Sequence, residues 1–146
     1  MEQDYIKTGK VKYVTHDFPL ESIHKNAFKA AEAAHCAGAQ GKYWEMHARL
    51  FANQGAIGLN DLPSHAEALG LDKSAFQTCL ESGRYAEAIR KDLAAGQQAG
   101  VTGTPSFFLG VTESNDSKVK ALRQLRGAQP YAAFQAAIDS LLPEQK

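Results

Sequence analysis

A proline at the head of a β run constrains this chain more than any other feature. Thr102-Gly103-Thr104-Pro105 leads directly into Ser106-Phe107-Phe108-Leu109. Proline has a fixed φ and no N–H to give to a ladder, so it cannot lie inside a central strand. Pro105 therefore reads as the point where a strand begins. Gly100 and Gly103, just before it, end a helix and turn the chain toward the sheet. Because this glycine pair precedes a strand and not a helix, it has the wrong order for cradling a phosphate.

The pattern on either side of that junction gives the rest of the organisation. Residues 10–18, Lys-Val-Lys-Tyr-Val-Thr-His-Asp-Phe, are β-branched and aromatic and stop at Pro19, which predicts a mostly buried strand. Asp4 to Lys7 reads as the last turn of a helix, with Gly9 turning the chain after it. An alanine-rich helix is expected over residues 26–39 and a second over 42–52, with Trp44 and Phe51 in the core. A short helix over residues 61–69 follows, capped by Asn60 or Asp61, with Pro63 in its first turn and Gly70 at its end. Asp72 caps another that closes at Gly83, and residues 85–98 form the last of this block. Residues 106–111 and 118–126 read as a β-hairpin around the polar loop 113–117. Tyr131, Phe134, Ile138 and Leu141 mark a final amphipathic helix behind Pro130. The order is strand, helical block (about 26–98), hairpin and helix, within a single α/β domain spanning residues 1–146.

Composition narrows the function classes. Sixteen basic residues balance sixteen acidic ones, so no basic face is forced and nucleic acid is not the expected partner. No apolar run approaches the ~20 residues that span a bilayer, so no membrane partner is expected. The first residues have neither a positive stretch nor an apolar core, which gives no signal peptide and leaves localisation unknown.

Few residues offer reactive chemistry. The five histidines follow no metal-ligand spacing, so no metal is expected, and nothing points to a cofactor. Asp17 and Glu45 are candidate paired acids without a nucleophile beside them. Cys36 and Cys79, the only cysteines, lie far apart in helical territory and form no Cys-X-X-Cys. Three readings stay open for them: two buried thiols, a bond between two helices, or Cys36 as a nucleophile activated by His35 or His47.

Four motifs in order carry a resemblance. Gly9-Lys10-Val11 with Asp17-Phe18-Pro19-Leu20, then Gly41-Lys42-Tyr43-Trp44-Glu45-Met46-His47, then Gly103-Thr104-Pro105-Ser106-Phe107, and finally Gly127-Ala128-Gln129-Pro130 together resemble the DsbA-like thiol–disulfide oxidoreductases of the thioredoxin superfamily. The resemblance covers nearly the whole chain. It implies a DsbA-type thioredoxin-like sheet with an inserted helical subdomain. It also implies a periplasmic or secreted parent, and substrate proteins or peptides that bind at Thr104 and Pro105. An X-Pro bond alone is cis about one time in twenty, whereas the resemblance implies cis for Thr104-Pro105. Some members of the family carry a second cysteine pair at similar positions, which implies a structural disulfide between Cys36 and Cys79.

The departure from the family is the missing N-terminal βα unit and its Cys-X-X-Cys. Without a thiolate there is no attack on a disulfide sulfur, so no catalytic residue is assigned and the chain is expected to be inert in dithiol chemistry. A fragment of a longer oxidoreductase is favoured over a non-catalytic peptide-binding or assembly module. A relative of the kappa-type glutathione transferases is disfavoured, since those resemble Gly-Val-Pro at the loop. With the central strand missing, residues 10–18 are expected either to close directly on residues 106–109 or to recruit a second copy, giving a homodimer by strand swapping or edge pairing.

Overall fold

The computed structural model describes residues 1–112 and 119–142. They fall into two compact units, one made of Met1–Thr15 with Val101–Lys146, the other of His16–Gly100. The loop expected over 113–117 lies outside the described residues.

The His16–Gly100 unit is all helical: α1 (Ala27–Gly38), α2 (Tyr43–Ala52), α3 (Leu62–Ala68), α4 (Lys73–Ser82) and α5 (Ala86–Gln98). Alanine has the highest helix propensity and the smallest side chain, so α1 both forms readily and lets its neighbours come close. Ala33, Ala34, Cys36 and Ala37 are buried there against Met46 and Leu50 of α2, Leu62 and Ala66 of α3, and Phe76 and Leu80 of α4. Each large apolar side chain buried in this way contributes about 1.5–3 kcal/mol. The Asp72 carboxylate accepts from the Ala75 N–H at 2.8 Å and starts α4 as expected. Gly83, at φ +63°, ends that helix in the left-handed region.

Two local expectations fail for physical reasons. Asp61 precedes α3 but does not cap it through its side chain. Its carboxylate turns back to accept from the Gly58 N–H at 2.9 Å, tying the preceding loop instead. Trp44 and Phe51 are not core: they are 49 % and 65 % exposed. They lie roughly 120–140° round α2 from the buried Met46 and Leu50, so one helix face cannot bury both sets.

The other unit is built on a hairpin. Strand β1 (Ser106–Thr112) pairs antiparallel with β2 (Val119–Arg126), running from Ser106 opposite Arg126 to Thr112 opposite Val119. A bulge falls between Leu109 and Gly110, where a residue without a side chain tolerates the irregular ladder. Helix α6 (Tyr131–Asp139) packs on one face of the hairpin, with Phe107 and Phe134 edge to face at 4.8 Å between ring centres.

The first residues form a π-helical turn over Glu2–Ile6 that is crosslinked to α6. The buried Tyr5 hydroxyl donates to Asp139 at 2.7 Å, and the Tyr131 hydroxyl donates to Asp4. These carboxylates favour the neutral phenols, raising the Tyr5 pKa and pushing that of Tyr131 up to about 12.

Residues 10–18 are not a strand. Among the described residues the sheet contains β1 and β2 alone. The direct closure of this segment on residues 106–109 does not occur either. β propensity expresses fit to a paired, half-buried surface, and with no adjacent ladder a β-branched run has nothing to satisfy its main chain as a strand. Two of its amides are satisfied elsewhere: Val11 N–H by the Tyr5 carbonyl at 3.1 Å, and Asp17 N–H by the Asp92 carboxylate at 3.0 Å.

Candidate functional site

The Thr104–Pro105 peptide bond is cis. Helix α5 ends at Gln98, Gly100 turns at φ +77°, and the next residues lead into β1. The Ser106 hydroxyl donates to the Gly103 carbonyl at 2.8 Å and folds the loop onto itself. The Gly127 N–H donates to the Pro105 carbonyl at 2.8 Å and closes the base of the hairpin against the proline. Between these bonds lies a shallow depression of about 210 Å³, lined by Thr102, Gly103, Thr104, Pro105, Ser106, Arg126 and Gly127. Thr104 and Pro105 are both exposed in it.

Chemically, the depression offers main-chain groups, two threonine hydroxyls, the Ser106 hydroxyl already bonded to Gly103, and one guanidinium. No acid–base pair or nucleophile lines it. Beside it runs the edge of β1 that faces away from β2, which no other strand covers among the described residues. An extended segment can pair with such an edge through main-chain hydrogen bonds. Arg126 was not singled out from the sequence, and Gly127 was read only as the entry to the last helix. Hairpin register was the available signal, since it sets Arg126 directly opposite Ser106.

The two cysteines lie in the other unit. Cys36 of α1 and Cys79 of α4, 43 residues apart, are joined with an S–S distance of 2.03 Å and a Cα–Cα separation of 5.9 Å. No thiol remains in the chain. The reading of Cys36 as a nucleophile activated by His35 or His47 fails on this geometry, because both histidines are engaged elsewhere. His35 Nε2 is 2.6 Å from Asp17 Oδ2. That hydrogen bond holds its imidazole above the ordinary range against the opposing effect of burial. His47 stacks with Tyr43 and Phe51, and burial pushes its imidazole down.

Asp17 and Glu45 are not paired with each other. Glu45 is held by Lys42 at 3.0 Å, and Asp17 belongs to a cluster with His35 and Asp92. His65 donates from Nε2 to the Ala56 carbonyl and accepts at Nδ1 from Arg49, a neutral tautomer fixed within the helical unit. Among the described residues no group of histidine, cysteine and acid side chains is arranged to hold a metal ion.

The larger depression, about 500 Å³, lies on α4 beside the disulfide, lined by residues that include Ser74, Thr78, Cys79, Ser82 and Arg84. Its sulfur is already bonded and the Ser82 hydroxyl is committed to the Cys79 carbonyl at 2.8 Å. The proline depression, although smaller, is the better candidate of the two, because it lies beside a strand edge that no other strand covers among the described residues.

Comparison with known proteins gives the family and the fold. A protein-family model described as Thioredoxin matches residues 1–140. The crystal structure of Wolbachia pipientis alpha-DsbA1 superposes with a TM-score of 0.78 at 25 % identity, covering 96 % of this chain and 72 % of that one. A thioredoxin-like fold of helices with a small antiparallel sheet is thereby shown. Among curated relatives, the Na(+)/H(+) antiporter NhaA 1 of Salinispora arenicola is 42 % identical over 99 residues, which are 68 % of this chain and 15 % of that protein. YwbO of Bacillus subtilis, an uncharacterized protein, is 31 % identical over 102 residues, 66 % of this chain and 51 % of that protein. The chain thus spans about 15 % of the length of the antiporter-named relatives, and among its described residues no helix is long and apolar enough to cross a membrane.

Proposed function

Because this chain belongs to the thioredoxin family, in its DsbA-like branch, we propose that it is the substrate-holding part of a protein thiol–disulfide oxidoreductase. In this reading an extended polypeptide lies along the uncovered edge of β1. Its main chain pairs with the strand and with the backbone of Thr104, while its side chains sit beside Pro105 and Arg126. The carrying observation is the exposed Thr104–Pro105 pair at the head of a strand with an open edge. The sulfur that would exchange with the substrate's disulfide is not supplied by Cys36 or Cys79, which are bonded to each other. It would come from a Cys-X-X-Cys segment of a longer parent, of periplasmic or secreted location as for the DsbA-like proteins it resembles. An in-frame Cys-X-X-Cys upstream of Met1 in the coding DNA would support that source.

A non-catalytic binding module on the same scaffold is the second reading, favoured by the bonding of both cysteines. A second copy pairing along β1 is the competing occupant of the edge.

Titration with an extended, cysteine-free peptide, followed through backbone amide shifts, tests the common core of these readings. Shifts concentrated in residues 102–112 and at Gly127 are expected, saturating independently of protein concentration. Shifts confined to the helical unit, or none at millimolar peptide, would remove the proposal. A dependence on protein concentration without peptide would identify the second copy as occupant.

A further inference from the structure

We propose that His35, Asp17 and Asp92 form a proton-set latch that fixes the start of the helical unit, residues 16 and 17, onto α1 and α5. Residues 16 and 17 lie outside the helices of the unit, and the contacts that place them involve side chains. Three are present. His35 Nε2 lies 2.6 Å from Asp17 Oδ2, the Asp17 N–H donates to Asp92 Oδ2 at 3.0 Å, and His16 Nδ1 lies 3.1 Å from Asp92 Oδ1. The same aspartate thus grips two successive residues, and His35 grips the second of them from the opposite helix.

The surroundings make the proton on His35 the controlling charge. From the segment it faces Asp17, and from α5 it is acted on by Asp92, which His16 also contacts. The Tyr85 ring stacks on it at 5.1 Å, with the Arg84 guanidinium 5.5 Å from the centre of that ring. From α2 it faces Tyr43 at 5.3 Å, itself stacked with His47 at 6.0 Å. Two carboxylates therefore crowd the end of the segment, and an imidazolium between α1 and Asp17 offsets their repulsion. Neutral His35 leaves Asp17 and Asp92 uncompensated in a half-buried setting.

The direction of the pH effect follows. The Asp17 carboxylate raises the His35 pKa above its usual 6.5. The latch is fully closed below that unperturbed value and loosens as pH rises through the raised one.

Hydrogen exchange at the Asp17 amide, corrected for the intrinsic rate and followed from about pH 6 to about pH 9, reads the latch directly. The expected opening constant rises by up to about tenfold per pH unit within the window and levels off above it. In Asp17→Asn and in His35→Gln the rise is expected to vanish, whereas it persists in His16→Gln, whose ring is mostly exposed. Far-ultraviolet dichroism identifies any variant that fails to fold. The wild-type profile is decisive alone: a flat opening constant overturns the latch, as does the same slope in folded His35→Gln.

Discussion

At Glu32, in the middle of α1, the side chain is 1 % exposed. Its Oε2 is 2.6 Å from the Lys29 ammonium, yet neither oxygen has a well-aligned hydrogen-bond partner among the described residues. Lys29 also donates to the Leu80 carbonyl at 3.2 Å, near the end of α4. A close ion pair does not offset burial when the remaining lone pairs go unmet. Replacing the acid by an apolar side chain of similar size, Glu32→Met, is therefore expected to leave stability unchanged or raise it by up to about 2 kcal/mol. Chemical denaturation measures this, and a loss of more than about 1 kcal/mol would show that the pair is favourable after all. Nothing in the sequence marked Glu32, because an acid in an alanine-rich helix reads as solvent-facing until its neighbours are known.

The disulfide acts between elements, tying α1 to α4 across the core of the helical unit. Closing a loop of this length restricts the unfolded chain and contributes about 4 kcal/mol on chain-entropy grounds. The reduced protein, or the Cys36→Ser/Cys79→Ser double variant, is expected to lose stability on that scale in urea titrations. A loss below about 1 kcal/mol would mean that helix packing alone fixes α1 on α4. Attack at the half-exposed Cys79 would have to expel Cys36, 1 % exposed, as a thiolate in an apolar setting, which suits a structural bond better than a switching one. Most elements could be read from the chain because their signals are local. Alanine content, Asp72, Gly83 and the 106–126 hairpin pattern each act within a few residues. The segment 10–18 was misread because a strand needs a neighbour, and no local signal reports whether the neighbour is there. Trp44 and Phe51 were misread for a related reason: aromatic character says that a side chain can be buried, and only the packing of Met46 and Leu50 says which face is. In the candidate site, Thr104 and Pro105 were legible as punctuation, whereas Arg126 joined them only through hairpin register.

For the whole molecule, the family assignment and the chemistry of the residues point in different directions, and the two are reconciled by separating holding from exchanging. In the proposed reading the proline loop and the open edge of β1 would serve the first task; the second needs a free dithiol, which this chain does not possess. The most direct test is the rate of insulin disulfide reduction by dithiothreitol in the presence of the purified polypeptide. The rate is expected to equal the uncatalysed background at any protein concentration. Catalytic turnover above that background, surviving in Cys36→Ser/Cys79→Ser, would contradict the separation on which this reading of the molecule rests.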